Sequence, residues 1–172
     1  LGENHPYAEY LYNDMGVVYG FMEEHQNALL MAQKALKIRS QLYGANSAEV
    51  AQSYHNIAVS QDALNQFDEA LPNYTKAYNL KNNLYQSHSK EVAEANYSLG
   101  NSYSRNNQFV EAIKYNKNAH AIAVKLEGQE GVLTTKYLKN LGNVCFDGGI
   151  YSEAISYYTS YLNLKNTASI SQ

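Results

Sequence analysis

The chain has 172 residues, enough for one domain with a substantial core, and its 45% apolar content against 17% charged excludes a disordered polypeptide. A net charge of −3 argues against a general nucleic-acid binder, which needs a basic excess. Apolar runs of only a few residues exclude a membrane-spanning helix, and a single cysteine, Cys145, excludes an internal disulfide and a cysteine-built metal site. The combination points to a reducing, cytoplasmic setting.

Taken in chain order, the pattern alternates helix, tight turn, helix, longer turn. Tyr12, Met15, Gly16 and Tyr19 recur at i, i+3, i+4 and i+7, one face of a helix, and Ala28, Ala32 and Ala35 mark a second helix that runs on to Leu42. Gly44-Ala45-Asn46-Ser47 then breaks the pattern. The next pair is built around Tyr54, Ile57 and Ala58, then the turn Leu64-Asn65-Gln66, then Ala70, Tyr74 and Ala77 as far as Leu84. The third carries Leu99-Gly100 and Tyr103, the turn Asn106-Asn107-Gln108, and Ala112 and Ala119 as far as Leu126. The fourth has Leu138, Leu141 and Gly142, the turn Asp147-Gly148-Gly149, and Ala154, Tyr158 and Tyr161.

Ala28, Ala70, Ala112 and Ala154 are spaced by 42 residues each time, and twelve residues before each stands a small residue, Gly16, Ala58, Gly100 or Gly142. Small side chains at these columns let two helix backbones approach closely, while the large ones beside them fill the adjoining holes. The period predicts four helical hairpins at 5–46, 47–88, 89–130 and 131–166, in one array spanning 1–172. Gly2 aligns with Gly44, so residues 1–4 read as the tail of a preceding repeat and 167–172 as a polar C-terminal tail. A piece of a longer array or of a multidomain protein is the expectation.

The order aromatic, Leu-Gly, aromatic, then Ala, aromatic, Ala resembles the tetratricopeptide repeat, carried here by Tyr12-Met15-Gly16-Tyr19-Ala28-Ala35, Tyr54-Ile57-Ala58-Ala70-Tyr74-Ala77, Leu99-Gly100-Tyr103-Ala112-Ala119 and Leu138-Leu141-Gly142-Ala154-Tyr158. The usual unit is about 34 residues, and the extra residues belong in the second helix, lengthening it by roughly 12 Å. Ala70-Leu71-Pro72 and Leu1-Gly2-Glu3-Asn4-His5-Pro6 resemble the kinesin-light-chain subclass, and "SLGNSY" and "NLGNVC" resemble Pins-type spindle adaptors. The resemblance implies an all-α fold, a right-handed α-α superhelix (solenoid) of four hairpins. It also implies a non-enzymatic scaffold or adaptor whose first helices line a concave groove for a peptide or helix of a partner protein. Kinesin light chains recognise Trp-containing acidic cargo peptides, which is the ligand the subclass suggests.

With the packing columns assigned, the opposite stripe of each first helix is the candidate peptide-binding surface. It comprises Tyr10, Asn13, Val17 and Gly20, then Gln52, His55, Val59 and Asp62. Glu94, Tyr97, Asn101, Ser104 and Arg105 follow, and last Lys136, Lys139, Asn143 and Phe146. The spacing i, i+3, i+7, i+10 keeps each set on one side. Amides, aromatics and histidine dominate instead of Glu-Lys pairs, and Asn13, Asn101 and Asn143 suit the backbone of an extended peptide because an amide donates and accepts at once. Arg105, Lys136 and Lys139 gather in the last two units, so an acidic segment is expected toward the fourth. Lys139 and Asn143 also resemble the Lys-x-x-x-Asn of carboxylate clamps.

Other chemistries lack a foothold. No phosphate-cradling Gly loop, nucleophile elbow or fixed acid pair occurs, so no enzyme activity and no cofactor are expected. The five histidines lack metal-ligand spacing, and Cys145 shares a column with Tyr19 and Tyr103, which makes it core filler. The sequons at Asn73 and Asn96 fall in helical pattern and read as chance. Pro72 removes one backbone hydrogen bond inside a helix, which predicts a modest kink. Besides peptide capture, two readings are open: an architectural segment that stacks end to end, and a regulatory array controlling an attached domain.

Overall fold

The computed structural model describes the backbone of residues 5–170 and the side chains of residues 5–166. Among the described residues there are eight α-helices and no strand: α1 Ala8–Phe21, α2 His25–Tyr43, α3 Ala48–Ala63, α4 Phe67–Leu84, α5 Lys90–Arg105, α6 Phe109–Glu127, α7 Val132–Asp147 and α8 Tyr151–Ile170. The chain divides into two compact units, residues 1–84 and 85–172, each of two hairpins. In the first unit α1 pairs with α2, α3 with α4, and α2 packs on α3; in the second α5 pairs with α6, α7 with α8, and α6 packs on α7. Leu1 to Asn4, expected as a preceding repeat's tail, lie outside the described residues. The last helix continues past 166 to Ile170, four residues into the stretch expected as a tail.

The repeat period governs where helices begin and end. His25, Phe67, Phe109 and Tyr151, spaced by 42, each open the second helix of a hairpin. Ser47 and Ser89 cap α3 and α5, each hydroxyl oxygen accepting from the backbone N–H three residues on, Val50 or Val92, at 3.3 Å. Gly131 has no side chain for this task; instead Glu127 Oε2 accepts from the Leu133 N–H at 2.9 Å.

Every first helix ends in the same Schellman turn. Glu24, Gln66, Gln108 and Ile150 donate their N–H to the carbonyls of Tyr19, Gln61, Tyr103 and Cys145 at 2.8–2.9 Å, and the residue before each is left-handed. That residue is Asn65 (φ 60°), Asn107 (φ 57°) or Gly149 (φ 74°) in three hairpins, but Glu23 (φ 60°) in the first. A glutamate gains nothing locally from this conformation, whereas Gly and Asn tolerate it. Glu23→Gly is therefore expected to stabilise the chain by about 1 kcal/mol, read as a rise in melting temperature of about 3 °C.

The small columns do what their spacing predicts. A Cβ on Gly100 would meet Asn116 Nδ2 at 2.5 Å and the Ala112 carbonyl at 3.1 Å, so α5 and α6 touch backbone to backbone there. Ala93, Ala119 and Ala123 form the second unit's core with Val92, Ile122 and Tyr137. Cys145 is fully buried beside Ala112, Ile113, Val144 and Ala154, and burial pushes its thiol up, consistent with core filler. Asn96 is buried and donates to the Val92 carbonyl at 2.9 Å, which closes that sequon to modification. Helix α4 runs unbroken across Pro72.

Three placements differ from the sequence reading. Met15, assigned to a packing column, is exposed, whereas Ile57 at the same repeat position is buried against Leu29 and Ala32 of α2. Asp62, assigned to the open stripe, is buried and accepts from the Tyr74 hydroxyl at 3.1 Å. Tyr97, assigned off the packing face, is half-buried and stacks on Tyr137 with ring centroids 4.6 Å apart. The stripe positions nearest the neighbouring helix have rotated into the interface.

The first unit also holds a buried ionic network. Glu9 is the one buried residue of α1; its Oε2 accepts from Arg39 Nε at 2.7 Å and its Oε1 from the Tyr43 hydroxyl at 3.1 Å. Arg39 Nη1 reaches Ser53 Oγ at 3.1 Å and the Glu49 carbonyl at 3.4 Å, so the cluster spans α1, α2 and α3.

Candidate functional site

Of the seventeen stripe residues Asp62 alone is buried, and the availability of the others differs. In the first unit Tyr10, Val17 and Val59 are exposed, while Asn13, Gln52 and His55 are half-buried. A recess of about 300 Å³ opens between α1, α2 and α3. Its floor exists because the columns carry Gly16, Ala28 and Ala32, and the stripe residues Asn13, Val17, Gly20 and Val59 line it together with Asn56. At its edge Asn56 Nδ2 donates to Asn13 Oδ1 at 3.1 Å, and Gln52 Nε2 donates to Asn56 Oδ1 at 2.8 Å. These bonds tie α1 to α3 and orient the amides. The recess is apolar with an amide rim, suited to an apolar side chain whose backbone hydrogen-bonds alongside.

His55 is turned away from that recess. Its ring lies edge-on to Tyr74 with centroids 5.6 Å apart. Burial first, and then the Lys81 charge, lowers its pKa from 6.5 to about 4, so it is neutral at pH 7. The geometry gives it a packing partner inside the hairpin.

The second unit's recess, about 360 Å³, is of opposite character. Tyr97, Lys136, Lys139 and Asn143 line it with Asn140, Thr135, Val132 and, from α8, Tyr161. Lys136 Nζ lies 4.8 Å from the centre of the Tyr97 ring and 5.9 Å from that of Tyr137, a cation–π seat that holds the ammonium at the wall. Burial, followed by the charge of Glu94, raises the Tyr137 hydroxyl well above its usual range, so that ring stays neutral beneath the lysine. Tyr158 donates its hydroxyl to Asn143 Oδ1 at 3.0 Å, which leaves the amide of Asn143 presenting its NH2 group. Asn140 Nδ2 donates to Asn101 Oδ1 at 2.7 Å and to Asn116 Oδ1 at 2.9 Å, so Asn101 is a structural strut as well as a stripe residue. Glu94 faces Lys90 at 3.9 Å, and Arg105 is exposed at the end of α5 away from the recess lining.

Sequence reasoning thus named eight residues that line a recess: Asn13, Val17, Gly20 and Val59 in the first unit, and Tyr97, Lys136, Lys139 and Asn143 in the second. It passed over Asn56 and Asn140, which fall at the same repeat position and bridge first helix to first helix within their units. A shared amide separated by twice the period was the available signal. Among the described residues no group of three His, Cys, Asp or Glu side chains is placed to hold a metal ion, and no helix is long and apolar enough to cross a membrane.

Helical hairpins on a fixed period, with recesses lined by their first helices, define an α-helical repeat protein. The chain belongs to the tetratricopeptide repeat family, whose sequence profile matches residues 1–83 and 91–167. As a family these repeats serve as protein-interaction scaffolds rather than catalysts. A search of curated proteins gives no significant match.

Among solved structures, BtubC (BKLC) from P. vanneervenii is 21% identical with a TM-score of 0.85, the match covering 94% of this chain and 65% of that one. A kinesin-light-chain-type protein of Podosopora anserina with nearly identical TPR-like repeats is 17% identical with a TM-score of 0.84, covering 98% and 80%. A Rap protein complexed with competence and sporulation factor is 19% identical with a TM-score of 0.76, covering 92% and 43%. At these identities the likeness is one of fold, the all-α solenoid class expected from the repeat period. The chain spans just under two thirds of the first of these proteins and less than half of the third.

Proposed function

We propose that this chain is a protein-interaction module that takes a peptide or helix of a partner protein on the stripes of its first helices, with an acidic stretch of the ligand against the fourth repeat. The observation that carries the reading is the recess of α5, α7 and α8, where Lys136 and Lys139 share one wall with Tyr97 and the donor face of Asn143. Two ammonium groups and an amide NH2 complement carboxylates, and the Tyr97 ring supplies apolar contact beside them. The Rap protein complexed with competence and sporulation factor lends support at the level of the fold. The adaptor role and a cytoplasmic setting belong to the same proposal.

Because ordering an extended peptide offsets much of the contact energy, an affinity between low micromolar and sub-millimolar is expected, about −5 to −8 kcal/mol. Fluorescence anisotropy with a labelled acidic peptide library should show binding that weakens with salt. The paired change Lys136→Ala, Lys139→Ala should weaken it about tenfold or more. Equal binding of acidic and basic peptides, or indifference to the paired change, would remove the proposal's support.

A further inference from the structure

We infer that the recess of the first unit is a seat for one aromatic side chain of the ligand, and that Gly16, Gly20 and Ala32 hold it open. The inference rests on the peptide-capture reading and adds a second requirement to the ligand beside its acidic stretch.

The other hairpins show what belongs in this place. Ala32, Tyr74, Asn116 and Tyr158 share one position of the second helix, and Gly16, Ala58, Gly100 and Gly142 share the facing position of the first. In the third and fourth hairpins the glycine makes room for the opposite side chain. A Cβ on Gly100 would meet Asn116 Nδ2 at 2.5 Å, and one on Gly142 would collide with the Tyr158 ring. In the second hairpin the Tyr74 ring is buried, its hydroxyl donating to Asp62. The first hairpin keeps the glycine but cuts the opposite side chain back to the methyl group of Ala32. A Cβ on Gly16 would meet nothing nearer than Met31 Cβ at 3.4 Å. Gly20 stands at the position of Asp62, and a Cβ there would meet nothing within 4 Å.

Packing therefore requires neither glycine, although glycine within a helix costs stability. What the missing side chains supply is the opening of about 300 Å³ between α1, α2 and α3. No Asp, Glu, Lys or Arg lines it, and the Ser60 hydroxyl is turned to the Asn56 carbonyl at 3.0 Å. The seat thus offers apolar contact where Tyr74 and Tyr158 place their own rings in the second and fourth hairpins. A ring fills such a place with much buried area for little lost rotamer freedom.

The test is an NMR titration of the whole chain with N-acetyl-phenylalanine amide, a ring flanked by two peptide groups. Signals of Gly16, Gly20, Ala32 and Val59 should shift, and N-acetyl-alanine amide and N-acetyl-lysine amide should bind there at least about tenfold more weakly. Ala32→Tyr supplies the missing ring from the chain itself and should abolish those shifts while raising the melting temperature. Gly20→Leu fills the seat from α1 and should do the same without touching the buried side of α2. Equal binding of the three amides would overturn the inference, as would shifts that survive both substitutions or a lower melting temperature in both variants. A chain that takes acidic peptides through Lys136 and Lys139 yet ignores the phenylalanine amide would overturn it too, and would leave the peptide-capture reading standing.

Discussion

Replacing Glu9 by alanine is expected to destabilise the first unit by about 3–5 kcal/mol, the largest loss any single change here should bring. The carboxylate is fully buried and takes donors from Arg39 at 2.7 Å and Tyr43 at 3.1 Å. Its removal strands the Arg39 guanidinium, itself 6% exposed, with only Ser53 Oγ and the Glu49 carbonyl among the contacts described above. An unpaired buried charge is the costly outcome, far more than the loss of a surface ion pair. The paired change Glu9→Met, Arg39→Met removes both charges and is expected to recover most of the loss, since two apolar side chains can fill the same volume. Thermal melts of the three proteins test this: the single variant should fall by about 10 °C and the paired one by much less. If the paired variant is as unstable as the single one, packing rather than charge accounts for the cluster.

The second large effect is a loss of stability in acid, set by His55. Its folded pKa of about 4 lies below the ordinary 6.5, first through burial against Tyr74 and then through the Lys81 charge. The unfolded chain takes up the proton near pH 6.5 and the folded chain does not, so folding is favoured fully above that pH and less so as pH falls toward 4. The difference reaches roughly 2 kcal/mol at pH 5 and roughly 3 kcal/mol at pH 4. His55→Gln has no such proton to take up. Its melting temperature should fall less between pH 7 and pH 5 than that of the parent, a window above most carboxylate titration. Parallel curves for the two proteins would mean that His55 is accessible to solvent and titrates normally.

The fold was legible because the restraints repeat. Ala28, Ala70, Ala112 and Ala154 announce the close helix contacts, and the turns at Asn65, Asn107 and Gly149 place the left-handed residue. Half of the candidate surface was legible for the same reason: Lys136, Lys139 and Asn143 sit on one side of α7 at helical spacing and the structure brings them into one recess. What escaped lies at the border between faces. A helix offers no sharp line between its packed and open sides, and a tyrosine such as Tyr97 is long enough to swing from the border onto Tyr137. Asp62 is drawn inward by a partner, Tyr74, that lies on the following helix and at no fixed sequence distance from other stripe residues. Met15 failed in the other direction: its column is apolar in every repeat, yet it is exposed where Ile57, Leu99 and Leu141 are buried.

The Glu9–Arg39 pair evaded pattern reading because it occurs once. At the position of Glu9 the later hairpins carry Ala51, Ala93 and Thr135, and at that of Arg39 they carry Lys81, Ala123 and Lys165. The hairpins are consequently not interchangeable parts, for all that their alanines coincide. Exchanging α5 alone for α1 would set Ala93 opposite Arg39, a charge it cannot answer, and moving α1 alone to a later place would drop a carboxylate into an alanine's socket. The two helices of the first hairpin are thus matched to each other by two side chains, and versions of the array that exchange single helices should fold only where that pair travels together.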